Sequence, residues 1–232
     1  MPTIKGMRKK ISLWLKYATV ISALGGVTFS LVRAKADGYS HWTKRLLYFT
    51  AQSNIWIGLS FLAVLLLPLI KAERREKWRK QAYLFKYTST VAITITALVF
   101  CLLLAPFADP SYRVWALPNV FTHAITPALA IIDFFVDEYR ISLKNGKWAL
   151  AALPPLSYVA STAVLCVLHT DFGRGLEYPY FFMNFYSPAG IFGFSNGFPF
   201  FMGSFYWLII FAGITLFLAW LYARLHGKRT PV

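Results

Sequence analysis

Two polar side chains of this 232-residue chain have the types that acyl transfer needs, and each lies inside an otherwise apolar run. Thr50 belongs to Tyr48-Phe49-Thr50-Ala51-Gln52-Ser53-Asn54, and His123 opens His123-Ala124-Ile125-Thr126-Pro127, with Asp133 and Asp137 further on. A threonine hydroxyl is a weak nucleophile until a neighbouring base takes its proton. Imidazole, with an ordinary pKa near 6.5, can take that proton at neutral pH and return it to a leaving group. On a helix Thr50, Ser53 and Asn54 share a face, being related by i, i+3 and i+4, while Gln52 points elsewhere. His123, Thr126, Ala130, Asp133 and Asp137 fall within a stripe about 80° wide. Such a stripe must face a bundle interior or a wet cavity. Pro127 removes a backbone donor and loosens the helix beside His123. Ser53, Asn54 or a backbone N–H could stabilise an oxyanion. The bland alternative is helix packing, since hydroxyls and amides commonly bond between membrane helices.

Helices must hold these residues. The chain is 57% hydrophobic and only 14% charged, against about 25% charged for an ordinary soluble domain. Six apolar stretches, at about 11–31, 46–70, 85–107, 118–136, 148–168 and 204–222, reach the length of about 20 residues that a crossing requires. Hydrocarbon gives the backbone no other partner, so each must be helical. The expectation is a single all-α domain, a bundle of six transmembrane helices.

The net charge is +15. Its basic residues form short clusters between apolar runs, not one patch interleaved with stacking aromatics, which argues against nucleic acid. Sixteen lie in the first tail, the second-to-third loop, the fourth-to-fifth loop and the last tail, against six in the other connections. The positive-inside rule therefore places both termini in the cytoplasm, in a multi-pass protein of the cell membrane. Thr50 and His123 are then both about 7 Å below the outer boundary, at 1.5 Å per residue, and a pairing is allowed. A cleaved signal peptide is the rival reading of the first helix, but its apolar stretch exceeds the usual 7–15 residues.

The last outer loop, 171–201, is dense in Phe and Tyr and holds five glycines and three prolines. That composition disfavours another span. It reads as an interfacial lid on the outer end of the bundle, or as an aromatic belt that anchors in lipid.

Other constellations are thinner. Gly193-Phe194-Ser195-Asn196-Gly197 matches G-x-S-x-G, but without the strand–turn–helix context that motif needs; His169 and Asp171 lie on the same face. No H-E-x-x-H or cysteine pair supports a metal site, and Cys101 and Cys166 form no disulfide framework. No phosphate-cradling glycine loop is present, so no cofactor is implied. Asp133, Pro127, Pro154 and Pro155 would also suit a small-solute or proton-coupled transporter with interrupted helices. A non-enzymatic membrane scaffold is the third class.

The Thr50 segment, the His123 helix with Asp133, and Tyr178-Pro179-Tyr180-Phe181 together resemble the androgen-induced membrane protein family and its six-helix bacterial relatives. The resemblance spans most of the chain. It implies an intramembrane threonine hydrolase of lipid-like esters, such as fatty acid esters of hydroxy fatty acids. Thr50 would be the nucleophile and His123 the base. Ser53, Asn54, Thr126, Tyr178 and Tyr180 are candidates for substrate or oxyanion contacts, with Gln52 and Asp133 as supporting polar residues. The partners expected are a fatty-acyl ester and membrane lipids.

Overall fold

The computed structural model describes residues 4–108, 110 and 112–227; Lys228 and Arg229 of the basic tail lie outside them. Six helices are long and apolar enough to cross a bilayer: α1 Ile4–Arg33, α2 Phe49–Leu69, α3 Ala72–Leu104, α4 Leu117–Val136, α5 Lys147–Val167 and α6 Ser204–Gly227. The protein is an all-α, multi-pass membrane protein. Among the described residues the only extended pairing is one isolated bridge, Phe194 with Met202.

Hydropathy misplaces two starts. α1 begins at Ile4 and α3 at Ala72, well ahead of their apolar runs. The Lys, Arg, Glu and Gln residues there are good helix formers in water, so the helix continues beyond the part that suits hydrocarbon. The second span, by contrast, opens late, at Phe49, because Trp42–Leu47 winds as a separate 3-10 turn.

α3 is the hub and touches α2, α4, α5 and α6, while α1 closes the bundle against α2 and α4. Small residues permit this closeness. A Cβ on Gly26 of α1 would lie 2.9 Å from Cβ of Phe121 on α4, and one on Gly58 of α2 would lie 2.9 Å from Leu24 of α1. Threonines along α3 return their protons to their own helix: Thr90 to the Lys86 carbonyl and Thr94 to the Thr90 carbonyl, both at 2.7 Å.

Lys16 and Lys86, the two basic residues outside the loop clusters, are buried inside the bundle. Asp133 and Asp137 neutralise them. Lys16 Nζ lies 3.2 Å from Asp133 and 2.8 Å from Asp137, and Lys86 Nζ lies 2.7 Å from Asp137 and also binds Asp133. Ser12 donates to Asp133 at 2.6 Å. Two cations and two anions thus cancel and knot α1, α3 and α4 together near the end where α3 begins with its basic first turns. Burying such charges is tolerable only when paired this completely. α1 is therefore an integral member of the bundle.

The aromatic loop before α6 folds over the opposite end. Phe182 and Met183 are buried with Phe49, Ile95, Tyr158 and Trp207. Tyr186, Phe192 and Phe194 remain exposed. The half next to α5 plugs the bundle, and the half next to α6 presents rings outward, as an interfacial belt does.

Candidate active site

The loop end brings α2 and α4 together. Thr50 is in the first turn of α2, directly after the 3-10 turn. Its Oγ1 is 3.2 Å from Nε2 of His123. The partners of the other ring nitrogen fix the tautomer. Nδ1 lies 3.1 Å from the Asn119 carbonyl oxygen, which can only accept. It also lies 3.0 Å from Thr122 Oγ1, whose own proton goes to the Pro118 carbonyl at 2.8 Å. Nδ1 must carry the hydrogen, and Nε2 offers its lone pair to the Thr50 hydroxyl. A main-chain carbonyl here does the orienting that a carboxylate does in a Ser-His-Asp triad.

The helix is widened to do this. Residues Phe121–Ile125 form a π turn. Pro127 follows four residues after His123; it has no N–H for the His123 carbonyl, and its ring would strike that carbonyl in a regular helix. The wider turn relieves the clash and rotates His123 toward α2. A second π turn, Phe100–Leu104 in α3, sets Phe100 flat on the imidazole, with ring centroids 3.7 Å apart and planes 18° apart. His123 is 7% exposed, and its ring is held on one face by Phe100 and at Nδ1 by the Asn119 carbonyl.

Tyr180 comes in from the loop. The Thr50 backbone N–H donates to Tyr180 Oη at 3.3 Å, and Tyr180 Oη stands 3.4 Å from Thr50 Oγ1. Its phenol is pushed up to about 12, first by burial, so it remains a hydrogen-bond donor at any physiological pH. The Thr50 N–H thus holds the phenol in place, and the Tyr180 O–H is a donor beside the hydroxyl, next to the positive end of the α2 dipole.

The other expected residues separate into three groups. Asn54 gives its amide hydrogens to the carbonyls of Thr50 at 2.8 Å and Thr122 at 3.1 Å. Both donors are spent, so Asn54 is a clamp between α2 and α4 and not an oxyanion donor. Ser53 is fully buried and bonds Thr96 of α3 at 2.8 Å, so it too positions α2. Thr126 is turned to α1, where it bonds Ser22 at 2.7 Å, away from Thr50. Gln52 donates to the Leu46 carbonyl at 3.0 Å and steadies the entry to α2. Tyr178 lines the cavity above Thr50 and His123. Asp133 belongs to the ion cluster, ten residues or about 15 Å along the helix from His123, and does not orient it.

The loop motif stands apart. His169 bonds Glu177 at 2.6 Å, and Asp171 bonds the Gly173 N–H at 2.7 Å. Neither is joined to Ser195 among the described residues, and no elbow surrounds that serine. Among the described residues no three His, Cys, Asp or Glu side chains gather as metal ligands.

Two hollows meet at Thr50. One, of about 410 Å³, includes His123, Tyr178 and Tyr180 in its wall. The other is a narrow apolar cleft between α3, α5 and α6, lined by residues such as Ile95, Val99, Tyr158 and Phe211. Asn119, Phe100 and Arg45, none of them conspicuous in sequence, help to build the first. No family model, curated protein or solved structure matches the chain. Fold and site define a multi-pass helical membrane protein in which a half-buried threonine meets a buried histidine at one end of the bundle.

Proposed function

We propose that the protein is an intramembrane hydrolase of lipid-like esters, with Thr50 as nucleophile and His123 as base and then acid. The observation that carries this is the 3.2 Å contact from Thr50 Oγ1 to an Nε2 whose tautomer is set by the Asn119 carbonyl. His123 takes the hydroxyl proton as Thr50 Oγ1 bonds the acyl carbon. The bond from that carbon to the alcohol oxygen then breaks, and His123 passes its proton to the leaving alcohol. Water repeats the sequence against the acyl-threonine and releases the fatty acid, restoring the Thr50 hydroxyl. Tyr180 O–H is the donor available to the developing oxyanion, the Thr50 N–H being given to Tyr180 Oη.

The resemblance to the androgen-induced membrane protein family supports the same reading and suggests fatty acid esters of hydroxy fatty acids as substrates. The excess of basic residues on one side supports a cell-membrane protein with both termini cytoplasmic, so that the site opens toward the outer leaflet. Purified protein should hydrolyse long-chain esters, and Thr50→Ala and His123→Ala should each lower kcat/KM by about 10²–10⁴-fold. Ester turnover unchanged in both variants would remove the proposal. Solute flux in liposomes that depends on Asp133, without ester turnover, would favour transport instead.

A further inference from the structure

The wall of the larger hollow is cationic. Arg45 and Arg174 both line it, and no carboxylate does so among the described residues. Their guanidinium carbons lie over one ring, that of Tyr39, at 4.3 Å and 5.0 Å from its centroid. Arg45 reaches Asp37 with one nitrogen, but its Nε is buried with no partner. Arg174 gives its Nε hydrogen to the Asp37 main-chain carbonyl at 2.9 Å and has no ion-pair partner among the described residues. Arg33 is 3.9 Å from the same Asp37 carboxylate. One carboxylate thus serves two guanidiniums, and Arg174 meets only the main-chain oxygen of that residue. Such an excess, with an unpaired buried N–H, is complementary to an anion.

The two hollows differ in a second respect. Thr50 and Tyr180 line both, but His123 lines only the cationic one. The base that protonates the leaving alcohol must sit on the alcohol's side of the scissile bond. The acyl chain is then left with the apolar cleft.

Resting on the hydrolase reading above, we propose that Arg45 and Arg174 are the specificity-determining residues of the site, binding an acidic group carried on the alcohol part of the substrate. Carboxylate and phosphate share the required chemistry, since each accepts paired N–H bonds from guanidinium.

The test uses the full-length protein and esters with one acyl chain and alcohol parts ending in a carboxylate, a phosphate or a neutral methyl-capped group. The wild type is expected to prefer at least one acidic ester over the neutral one by tenfold or more in kcat/KM, mainly through KM; which acid leads distinguishes the two chemistries. Arg174→Gln and Arg45→Gln should each reduce that ratio about tenfold. Asp37→Asn, which frees Arg45, should raise it. Equal rates on charged and neutral esters in the wild type, or variants that lower all rates alike, would overturn the proposal and leave the hydrolase reading standing.

A binding arm separates the two failures. Thr50→Ala protein is titrated with the free acidic alcohol and with its neutral cap. A tenfold weaker binding of the acid after Arg174→Gln supports the anion site even if no ester is cleaved, whereas equal binding of acid and cap rejects it. Should Arg45→Gln not fold, Arg174→Gln carries the test alone.

Discussion

At the scale of single residues, the chemistry depends on which nitrogen of His123 holds the proton, and that is decided by main-chain oxygen. No sequence motif advertises the Asn119 carbonyl. The equal depth of Thr50 and His123 along two helices can be counted from the sequence, but their facing one another cannot. The same is true of Arg45 and Arg174, which belong to connections more than a hundred residues apart. Tyr180 makes a separate prediction. Burial holds its phenol neutral, with a pKa raised from 10.0 to about 12. A raised pKa contributes stability that is fully present below pH 10 and is lost as pH climbs toward 12. Thermal unfolding followed against pH should therefore show an alkaline loss that is smaller in Tyr180→Phe. The same variant should lower ester turnover by about tenfold or more, as removal of an oxyanion donor does; unchanged turnover would leave the tyrosine only a packing role.

At the scale of elements, the local departures from regular helix do the positioning. Pro127 and the π turn of α4 act as one device. Pro127→Ala supplies the missing N–H and removes the ring clash, so the turn can relax and swing His123 away from α2. Turnover should fall more than tenfold with helical circular dichroism preserved; full activity would show that the turn is incidental. Asn54 tests the clamp between α2 and α4. Asn54→Ala leaves the Thr122 carbonyl short of a donor, at a cost of about 1–3 kcal/mol, readable as a lower unfolding midpoint in detergent. The apolar runs marked all six spans because hydropathy senses the hydrocarbon-facing part of a helix. It missed the first thirteen residues of α3, Ala72–Leu84, because their Lys, Arg and Glu carry no apolar signal although they favour helix.

At the scale of the whole molecule, the bundle is polarised. One end holds the paired charges that lock α1, α3 and α4, and the other holds the reactive pair beneath a half-buried aromatic loop. Asp133 was visible in sequence as a charge inside an apolar run, and Lys16 and Lys86 carry the same signal; which of these charges pair was not legible, because the partners come from different helices. Removing one member strands a buried charge. Lys86→Met should cost about 3–5 kcal/mol of stability. Adding Asp133→Leu to it should recover much of that loss, since the remaining Lys16–Asp137 pair at 2.8 Å stays neutral. A double variant no more stable than the single one would show that the cluster works by shape and not by charge balance. Ester turnover at the far end should follow stability only.

The most direct test traps the acyl group itself. The protein is treated with a reactive long-chain ester or an alkyl fluorophosphonate, digested, and its adduct located by mass spectrometry. The expected result is one adduct on Thr50, formed at least a hundredfold more slowly in His123→Ala. An adduct on Ser195 or elsewhere, or labelling of Thr50 at full rate without the imidazole, would contradict a threonine activated by His123.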